Sequence, residues 1–420
     1  MSNPQPQVYT DHNITADALD RNAVSVVDTL REHDFEAYLV GGCVRDLLCG
    51  RKPKDFDVAT NATPEQIKQL FRRARLVGRR FPIAHVRFGR EIIEVSTFRQ
   101  SELDHVETND SGLIVKDRAF GTIAEDAFRR DFTINALYLD PQNHTVIDYV
   151  QGVTDIQQRR LQFIGEPSNR LAEDPVRMLR AIRFAAKLDF ELEATLTEHF
   201  EDTAERLEAI PSARLFDEFL KMFLSGYGAA VWDLLHDTPL VRSLFPSCNP
   251  HSELTRAAMF NTDQRIAAEQ PVTPGFLIAV LLWDDFSQRN ERDNPKSKPG
   301  LIYDIAMDTL AVQQQHIAVP KRYAIFAREV WQLQNRLVER HPRAINKLLG
   351  HKRFRAAFDF LTLRAKTEPK LQNIAQWWHD IQEVDGAGKQ QMVDQLASKG
   401  RNRNRRRRPR NPMAEPPYQD

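Results

Sequence analysis

The pattern of apolar residues changes once along this 420-residue chain, near residue 165, and the change restricts the folds that the chain can adopt. Before that point, short runs of aromatic and β-branched residues alternate with short helical segments, which is typical of an α+β domain. After it, apolar residues recur at spacings of three and four, which indicates amphipathic helices. We therefore predict an α+β fold with an N-terminal head, followed by helices and a basic tail.

Individual elements can be predicted from the same patterns. The predicted strands are Tyr38–Val40, Phe56–Val58, Glu91–Phe98, Thr133–Leu139 and Thr145–Tyr149. The predicted helices are Val176–Leu188, Ala213–Leu224, Gly275–Asp284 and Phe354–Leu363. Thr63 and Pro64 have the residue types of an N-cap and a first helical position. The segments Ser101–Phe120 and Gln288–Gly300 are predicted to be loops.

The composition excludes several classes of protein. The longest apolar run, Phe276–Trp283, has eight residues, whereas a membrane-spanning helix needs about 20. The three cysteines contain no CxxC motif and are too few for a disulfide framework. The first twenty residues lack the apolar core of a targeting segment. We therefore expect a reduced, cytoplasmic protein with no membrane span.

The segment Tyr38–Gly50 combines a strand, a Gly-Gly turn and a short helix. Gly41 and Gly42 allow a ligand to approach the backbone, and the N–H groups at a helix start suit an anion. Arg45 on the first helical turn adds a positive charge. We predict that these three residues bind the phosphates of a nucleotide; a plain glycine turn before a helix is the alternative.

Asp55 and Asp57 are two residues apart, so in a strand they project from the same face. Two neighbouring carboxylates repel each other unless a positive charge lies between them, and a divalent cation is the simplest solution. Mg²⁺, with Mn²⁺ as an alternative, binds such carboxylates together with substrate phosphates, and it can promote phosphoryl transfer. Asp55 and Asp57 are therefore predicted to be catalytic metal ligands, with a solvated acidic turn as the alternative.

A third acid usually completes such a cluster, and two residues could provide it. Glu94 lies in the predicted strand Glu91–Phe98, and Asp131 follows Arg129 and Arg130 at the entry to another strand. The spacing of the residues does not choose between them.

The segment from Arg170 to Arg183 contains a helix start at which Asp174 and Arg177 are three residues apart. Residues at this spacing are neighbours on a helix surface, so the pair offers one hydrogen-bond acceptor and one donor group. The pattern matches the Watson–Crick edges of adenine and cytosine, but not those of guanine or uracil. We predict that Asp174 and Arg177, with Arg180 on the same basic face, bind the nucleotide; capping of the helix by Asp174 alone is the alternative.

Four motifs together resemble the class II nucleotidyltransferases, the superfamily of bacterial poly(A) polymerases and CCA-adding tRNA nucleotidyltransferases. They are Val40–Leu48, Asp55–Asp57, Arg129–Asn135 and Glu173–Arg180. The resemblance implies a head with a small mixed β-sheet that binds metal and triphosphate, a helical neck that reads the base, and further helices that hold RNA. It also implies roles for individual residues: Asp55 and Asp57 as Mg²⁺ ligands, Asp131 as the third active-site acid, Gly42 and Arg45 at the triphosphate, and Asp174 with Arg177 at the base.

Two features favour the polyadenylating branch of the superfamily. The segment Leu76–Val86 resembles a signature of that branch, although Pro82 departs from it. The tail Lys399–Arg410 carries eight basic residues and no acidic one, which predicts a disordered segment that binds RNA phosphates without sequence preference. The predicted RNA-binding residues are Arg401, Arg403, Arg405, Arg406, Arg407 and Arg408. A solubilising extension is the alternative.

We therefore predict a template-independent polynucleotide adenylyltransferase that transfers AMP from ATP to RNA 3′ ends and acts in RNA processing and decay, with RNA-decay proteins as implied partners. The alternatives are a CCA-adding enzyme and a non-catalytic RNA-binding protein. The predicted domains are a flexible segment at 1–20, the catalytic head at 21–165, the base-reading neck at 166–240, the RNA-binding body at 241–397 and the tail at 398–420.

Overall fold

The computed structural model describes residues 5–78, 82–100, 106–108, 114–117, 120–294 and 298–407, and only the backbone of 106–108, 114–117 and 399–407. The chain forms two compact units. The N-terminal unit comprises Met1–Phe223 and Ala230–Leu244, and the C-terminal unit comprises Leu224–Ala229 and Phe245–Asp420. Within the described ranges, no helix is both long and apolar enough to cross a membrane.

The strands all lie in the N-terminal unit, as far as the structure describes the chain. They are β1 (Gln7–Tyr9), β2 (Ala37–Val40), β3 (Asp57–Thr60), β4 (Ala74–Val77), β5 (Ile83–Phe88), β6 (Glu91–Thr97), β7 (Val106–Thr108), β8 (Ile114–Asp117), β9 (Leu137–Asp140), β10 (Thr145–Asp148), β11 (Arg160–Leu161) and β12 (Glu191–Leu192). Eight of them form one sheet in the order β1-β10-β9-β2-β3-β6-β5-β4. In this sheet β3 and β6 pair in parallel, and the other neighbours pair antiparallel.

Helices cover the sheet and continue the N-terminal unit. They are α1 (Arg21–Arg31), α2 (Gly42–Leu48), α3 (Pro64–Leu70), α4 (Ile123–Arg129), α5 (Gly152–Gln157), α6 (Pro167–Glu173), α7 (Val176–Leu188), α8 (Ala194–Thr197), α9 (Phe200–Thr203), α10 (Ser212–Phe223), α11 (Gly228–Leu235) and α12 (Leu240–Leu244). On α1 the residues Ala23, Val26, Val27 and Leu30 are fully buried. Their helical spacing places one apolar face of α1 against β2 and β3.

The regular secondary structure of the C-terminal unit is helical wherever the structure describes it. Its helices are α13 (Glu253–Ala267), α14 (Pro274–Leu281), α15 (Trp283–Asp293), α16 (Pro299–His316), α17 (Lys321–Glu339), α18 (Ile345–Leu349), α19 (Phe354–Thr367), α20 (Gln372–Glu383) and α21 (Gly386–Arg407). Helices α17, α19 and α20 share a core in which Leu337, Leu361 and Trp378 are fully buried. The indole N–H of Trp378 donates to the carbonyl of Leu337 over 2.8 Å.

The predicted α+β class with a mixed sheet followed by helices is confirmed. The predicted helix Val176–Leu188 has the observed bounds of α7, and Thr63 caps α3 with a capping box completed by Gln66. The predicted helix Gly275–Asp284 is wrong in its extent, because the chain forms two helices there, with a break at Leu282.

The predicted strand Thr133–Leu139 is also wrong in its first half. Residues Thr133–Asn135 form a 3₁₀ helix, and β9 begins at Leu137. The Thr133 hydroxyl donates to Asp155 over 2.6 Å, and Gly152 packs so closely that a Cβ there would lie 2.3 Å from the Thr133 carbonyl oxygen. These long-range contacts outweigh the local β-propensity.

Three segments predicted to be irregular contain regular structure. The segment predicted to be flexible at 1–20 includes β1, which pairs with β10. The predicted loops include the antiparallel pair of β7 and β8, the end of α15 and the start of α16, while residues 101–105, 109–113, 118–119 and 295–297 lie outside the described residues. The backbone of α21 extends into the segment predicted to be the tail as far as Arg407, and the tail residues after it lie outside the described residues.

Candidate active site

The turn between β2 and α2 requires glycine at its first position. Gly41 has φ 75° and ψ −122°, a conformation that side chains rarely adopt. A Cβ at Gly41 would lie 3.4 Å from Nη1 of Arg130. At Gly42, in contrast, a Cβ would meet only Nη2 of Arg45, at 3.7 Å. The protein's own packing therefore leaves space above the Gly42 backbone, as the predicted approach of a ligand requires.

The parallel pairing of β3 and β6 brings two carboxylates together beside this turn. Asp57, the first residue of β3, is the register partner of Val40 on β2 and of Glu94 on β6. Register partners lie on the same face of a sheet. Burial, then Glu94 and more weakly Asp55, raise the pKa of the Asp57 carboxyl to about 6, although Arg130 opposes them. The carboxylates of Asp57, Glu94 and Asp55 therefore repel one another at this edge of the sheet.

The row of register partners continues across the sheet from Glu94. His85 on β5 pairs with Glu94, and Arg75 on β4 pairs with His85. Nε2 of His85 lies 3.5 Å from Oε1 of Glu94. His85 belongs to the segment Leu76–Val86 that resembles the polyadenylating signature, of which residues 79–81 lie outside the described residues. No role for His85 follows from the sequence alone, because the face that it shares with Glu94 depends on the register of β5 and β6.

Asp131, predicted to be the third catalytic acid, is surrounded by hydrogen-bond donors of the protein itself. Its Oδ2 accepts from Nε and Nη2 of Arg180 at 2.8 and 2.6 Å. Its Oδ1 accepts from the Phe132 backbone N–H at 2.9 Å and from the Asn135 amide at 3.2 Å. These four bonds use the roughly four acceptor positions of a carboxylate. Burial would raise the pKa of Asp131, but Arg180 and the other donors outweigh it and lower that pKa to about 2.

Arg45 is buried beneath the glycine turn, with 3% of its surface exposed. It donates to Oδ1 of Asp46 from Nε and Nη2, at 2.8 and 2.6 Å, and from Nη1 to Oδ1 of Asn135 at 2.5 Å. Asn135 thus joins Arg45 to Asp131. Two guanidinium N–H groups of Arg45 are left over from these three bonds, since an arginine has five. The phosphate-binding role of Arg45 stays a prediction.

Arg130 is a cation of the site that the sequence analysis missed. Its Nε and Nη2 donate to Oδ2 of Asp126 at 3.0 and 2.8 Å, and the Tyr138 hydroxyl donates to the same oxygen at 2.7 Å. Nη1 of Arg130 donates to the Asn135 carbonyl at 3.4 Å, next to Gly41. The sequence offered only the spacing of four from Asp126, which pairs the two residues on a helix but does not aim the arginine at Asp57.

The residues predicted to read the base lie at the start of α7, and each is held by its own partner. Asp174 accepts from Nη2 of Arg214 at 2.6 Å and from the Val176 backbone N–H at 3.2 Å. Arg177 donates to Oε2 of Glu173 at 2.7 Å and to the Arg170 carbonyl at 2.6 Å. The spacing of four from Glu173 to Arg177 is readable in the sequence, whereas Arg214 lies 40 residues away and gave no local signal.

Arg180, the third residue predicted at the base, is bound to Asp131 and also approaches Glu218 on α10, at 3.9 Å. Its guanidinium lies 5.2 Å from the ring centroid of Phe184. The tail arginines up to Arg407 lie on α21, where only the backbone is described, and Arg408 lies outside the described residues. Their RNA-binding role stays a prediction.

Comparison with protein families gives three matches along the chain. Residues 37–162 match a family described as the poly A polymerase head domain. Residues 189–251 match the probable RNA and SrmB-binding site of polymerase A. Residues 302–412 match the polymerase A arginine-rich C-terminus.

Curated relatives and solved structures agree with these matches. Poly(A) polymerase I of Haemophilus influenzae is 42% identical over 396 residues, covering 89% of this chain and 87% of that protein. Poly(A) polymerase I of Salmonella typhi is 43% identical over 421 residues, covering 95% and 90%. The CCA-adding enzyme of Lactobacillus helveticus is 37% identical over 219 residues, covering 52% and 53%.

Among solved structures, an apo form of a CCA-adding enzyme matches with a TM-score of 0.64 and 20% identity over 87% of this chain and 85% of that one. The Thermotoga maritima CCA-adding enzyme complexed with tRNA matches with a TM-score of 0.61 and 20% identity, covering 87% and 84%. At this identity the structures show a shared fold. The near full-length identity to the curated polymerases goes further: the chain belongs to the bacterial poly(A) polymerase I family of class II nucleotidyltransferases.

Proposed function

We propose that this chain extends RNA 3′ ends with adenylate without a template, in the cytoplasm, through the carboxylates of Asp55, Asp57 and Glu94. The chain is a polynucleotide adenylyltransferase by family, so the RNA 3′-hydroxyl attacks the α-phosphorus of ATP and pyrophosphate leaves. The observation that carries the assignment of the site is the register pairing of Asp57 with Glu94 beside the Gly41–Gly42 turn.

The three carboxylates fit a divalent cation. Enzymes of this family use divalent metal ions. Support for a site in this chain comes from the pKa of Asp57, which burial and two neighbouring carboxylates raise to about 6. A bound cation would remove that repulsion, and Mg²⁺, with Mn²⁺ as an alternative, prefers such oxygen ligands. When bound, it would make the attacking hydroxyl more acidic and neutralise charge on the leaving pyrophosphate.

Glu94 is our choice as the third acid. It shares a sheet face with Asp57, and its side chain is half exposed, so it can turn toward a metal without losing a buried partner. Asp131 has four donors and would have to break the bond with Arg180 to become a ligand. We therefore assign Asp131 a positioning role: it fixes Arg180 on α7 and, through Asn135, Arg45 below the glycine turn.

The phosphates of ATP would lie over Gly42, where the backbone is open. Arg130 borders this space through its contact with Gly41 and supplies a fixed positive charge. Arg45 stiffens the turn from below and has guanidinium N–H groups left for a phosphate oxygen. A fixed cation costs little reorganisation when charge develops on the leaving group.

Asp174 and Arg177 would select the base. Asp174 can accept from the exocyclic amine of adenine, and Arg177 can donate to the neighbouring ring nitrogen. Arg214 and Glu173 hold the two side chains from behind, which fixes their directions before the base arrives. Cytosine offers the same donor and acceptor order, so the CCA-adding reaction is the second candidate, and it is supported by the shared fold.

One assay separates the candidates. The protein is incubated with an unstructured RNA, Mg²⁺ and each nucleoside triphosphate alone, and the products are sized on a denaturing gel. We expect long homopolymers with ATP only. Addition that needs CTP and stops after CCA on a tRNA would support the second candidate instead. RNA binding without extension by any nucleotide would refute both.

A further inference from the structure

The C-terminal unit contains a cavity that no role assigned so far uses. It has a volume of about 240 Å³ and lies between α13, the loop before α14, α17 and the start of α19. Arg265, Lys352, Arg353 and Arg355 line it, against one lining carboxylate, Asp359. Phe276 and Phe326 supply aromatic walls. Glu329, behind the cavity, pairs with Lys352 and Arg353, so the lining remains net positive.

The aromatic wall is rigid. The Arg353 guanidinium lies 4.6 Å from the centroid of the Phe326 ring. A Cβ at Gly275 would lie 3.0 Å from Cβ, Cγ and Cδ1 of Phe326, so glycine lets α14 pack directly against this side chain. Phe276 is fixed by an edge contact with Phe360, with ring centroids 6.0 Å apart. Both lining rings are half-buried and thus keep part of their surface accessible from the cavity.

Two positively charged side chains at the rim of the cavity, in contrast, are exposed to solvent. The side chains of Lys352 and Arg355 are 66% and 72% exposed. An anion could therefore bind at the rim without displacing a buried side chain. Pockets for small molecules typically have about 300–1,000 Å³, so this one suits a single planar group, with the charged remainder of the ligand outside.

We propose that this cavity binds one nucleotide of single-stranded RNA, with the base stacked on Phe326 or Phe276 and the flanking phosphates bound by Lys352 and Arg355. Aromatic stacking combined with phosphate contacts is how proteins bind single strands without sequence preference. The choice of RNA over another polyanion rests on the proposed function, whose substrate and product are both single-stranded RNA. A second RNA contact raises the effective concentration of the 3′ end near the chain between additions.

The test compares full-length variants in binding to a fluorescently labelled 20-nucleotide oligo(A), without ATP and without metal. Phe326→Leu keeps apolar bulk and removes the ring, and Arg355→Ala removes a rim charge. Arg292→Ala is the matched control, because Arg292 is also 72% exposed and also pairs with an aspartate, but lies on α15 outside the cavity lining.

We expect Phe326→Leu to weaken oligo(A) binding by about 10-fold, as the loss of one stacked base does. Arg355→Ala should flatten the slope of log K against log salt by about 0.7, and Arg292→Ala should leave both unchanged. If Phe326→Leu misfolds, the double variant with Lys352→Ala and Arg355→Ala provides the same test at exposed positions. Wild-type binding by the properly folded variants would overturn the proposal.

Two further measurements distinguish RNA binding in the cavity from ATP binding there and from a failure of the proposed function. If the cavity instead takes free ATP, equilibrium dialysis will show the loss of one bound ATP in Phe326→Leu with unchanged RNA affinity, and the proposal fails. The catalytic assignment is tested independently by Asp57→Asn, which should bind oligo(A) normally and extend none. If the wild-type protein extends no RNA but the cavity variants still bind RNA more weakly than it does, the proposed function is refuted and the proposed RNA site is supported.

Discussion

Replacing Asp57 with asparagine should make the metal-free protein more stable and the enzyme inactive. Asp57 is half-buried next to Glu94 and Asp55, and its pKa is raised from 3.8 to about 6. A carboxyl group with a raised pKa in the folded state binds a proton there more tightly than in the unfolded chain. Folding is therefore opposed by its ionisation, and asparagine removes that opposition while keeping the size of the side chain.

The size of the stability gain in Asp57→Asn and its pH range follow from the two pKa values of Asp57, 3.8 in the unfolded chain and about 6 in the folded protein. A shift of about two pH units corresponds to about 3 kcal/mol, since one unit is about 1.4 kcal/mol. Solvent at this half-buried group reduces the effect to about 1–3 kcal/mol, or roughly 2–10 °C in Tm for a unit of this size. The gain from Asp57→Asn should be full above pH 6, shrink between pH 6 and 4, and vanish below about pH 4.

The assay is thermal unfolding of wild type and variant in EDTA across pH 4.5–8, repeated with Mg²⁺. Mg²⁺ should stabilise the wild type by binding to the folded state, and it should stabilise Asp57→Asn much less. In the extension assay the variant should lose about 10³-fold or more in rate, because several kcal/mol of transition-state stabilisation depend on the metal.

Asp126 provides the matched control, because it forms an ion pair with Arg130, the arginine whose charge lowers the pKa of Asp57. Burial would raise its pKa, but Arg130 and Arg129 outweigh burial and lower it. Asp126→Asn should therefore destabilise the protein at pH 8, the opposite sign from Asp57→Asn. If Asp57→Asn is instead less stable than the wild type at pH 8 in EDTA, Asp57 is a structural acid with a protein partner, and our account of the site is refuted.

Three further predictions concern the surroundings of the site. Asp131→Asn should lower stability by about 2–3 kcal/mol at pH 7, because its pKa is lowered to about 2; urea unfolding should show this loss fading as the pH falls from 4 toward 2. Gly41→Ala should cost about 1–3 kcal/mol in the same assay, since φ is 75° there, whereas Gly42→Ala, at a position without a positive φ where the nearest atom to the added Cβ is 3.7 Å away, is the control and should change stability little. Truncation after Gly400 should flatten the salt dependence of RNA binding by roughly three units and leave turnover at saturating RNA intact; an unchanged slope would make the tail a solubilising extension.

The sequence was sufficient for features that depend on neighbouring residues. The bounds of α7 and the cap at Thr63 follow from local spacing, whereas Asp55 lies two residues before β3 and not on the same strand as Asp57. The glycine turn was also predictable, since a positive φ at Gly41 matches a strand that meets a helix through two glycines.

Contacts between distant residues could not be predicted in this way. Glu94 becomes the neighbour of Asp57 only through the parallel register of β3 and β6, which the local pattern of either strand does not specify. Asp131 is separated by 49 residues from Arg180, its ion-pair partner. Because the sequence does not reveal that bond, Glu94 and Asp131 were equally suitable as the third acid from their spacing. The resemblance to the family favoured Asp131.

The most direct test of the account is a Mg²⁺ titration of oligo(A) extension by Glu94→Gln and Asp131→Asn, each compared with wild type after its folded fraction is measured. If Asp57, Asp55 and Glu94 hold the metal, Glu94→Gln should require much more Mg²⁺ and lose maximal rate at an unchanged Tm. Asp131→Asn should keep the wild-type Mg²⁺ dependence and lose activity only in proportion to misfolding and to looser nucleotide binding. A wild-type Mg²⁺ dependence in Glu94→Gln, with a large increase in the Mg²⁺ requirement of Asp131→Asn, would contradict the assignment and restore Asp131 as the third acid.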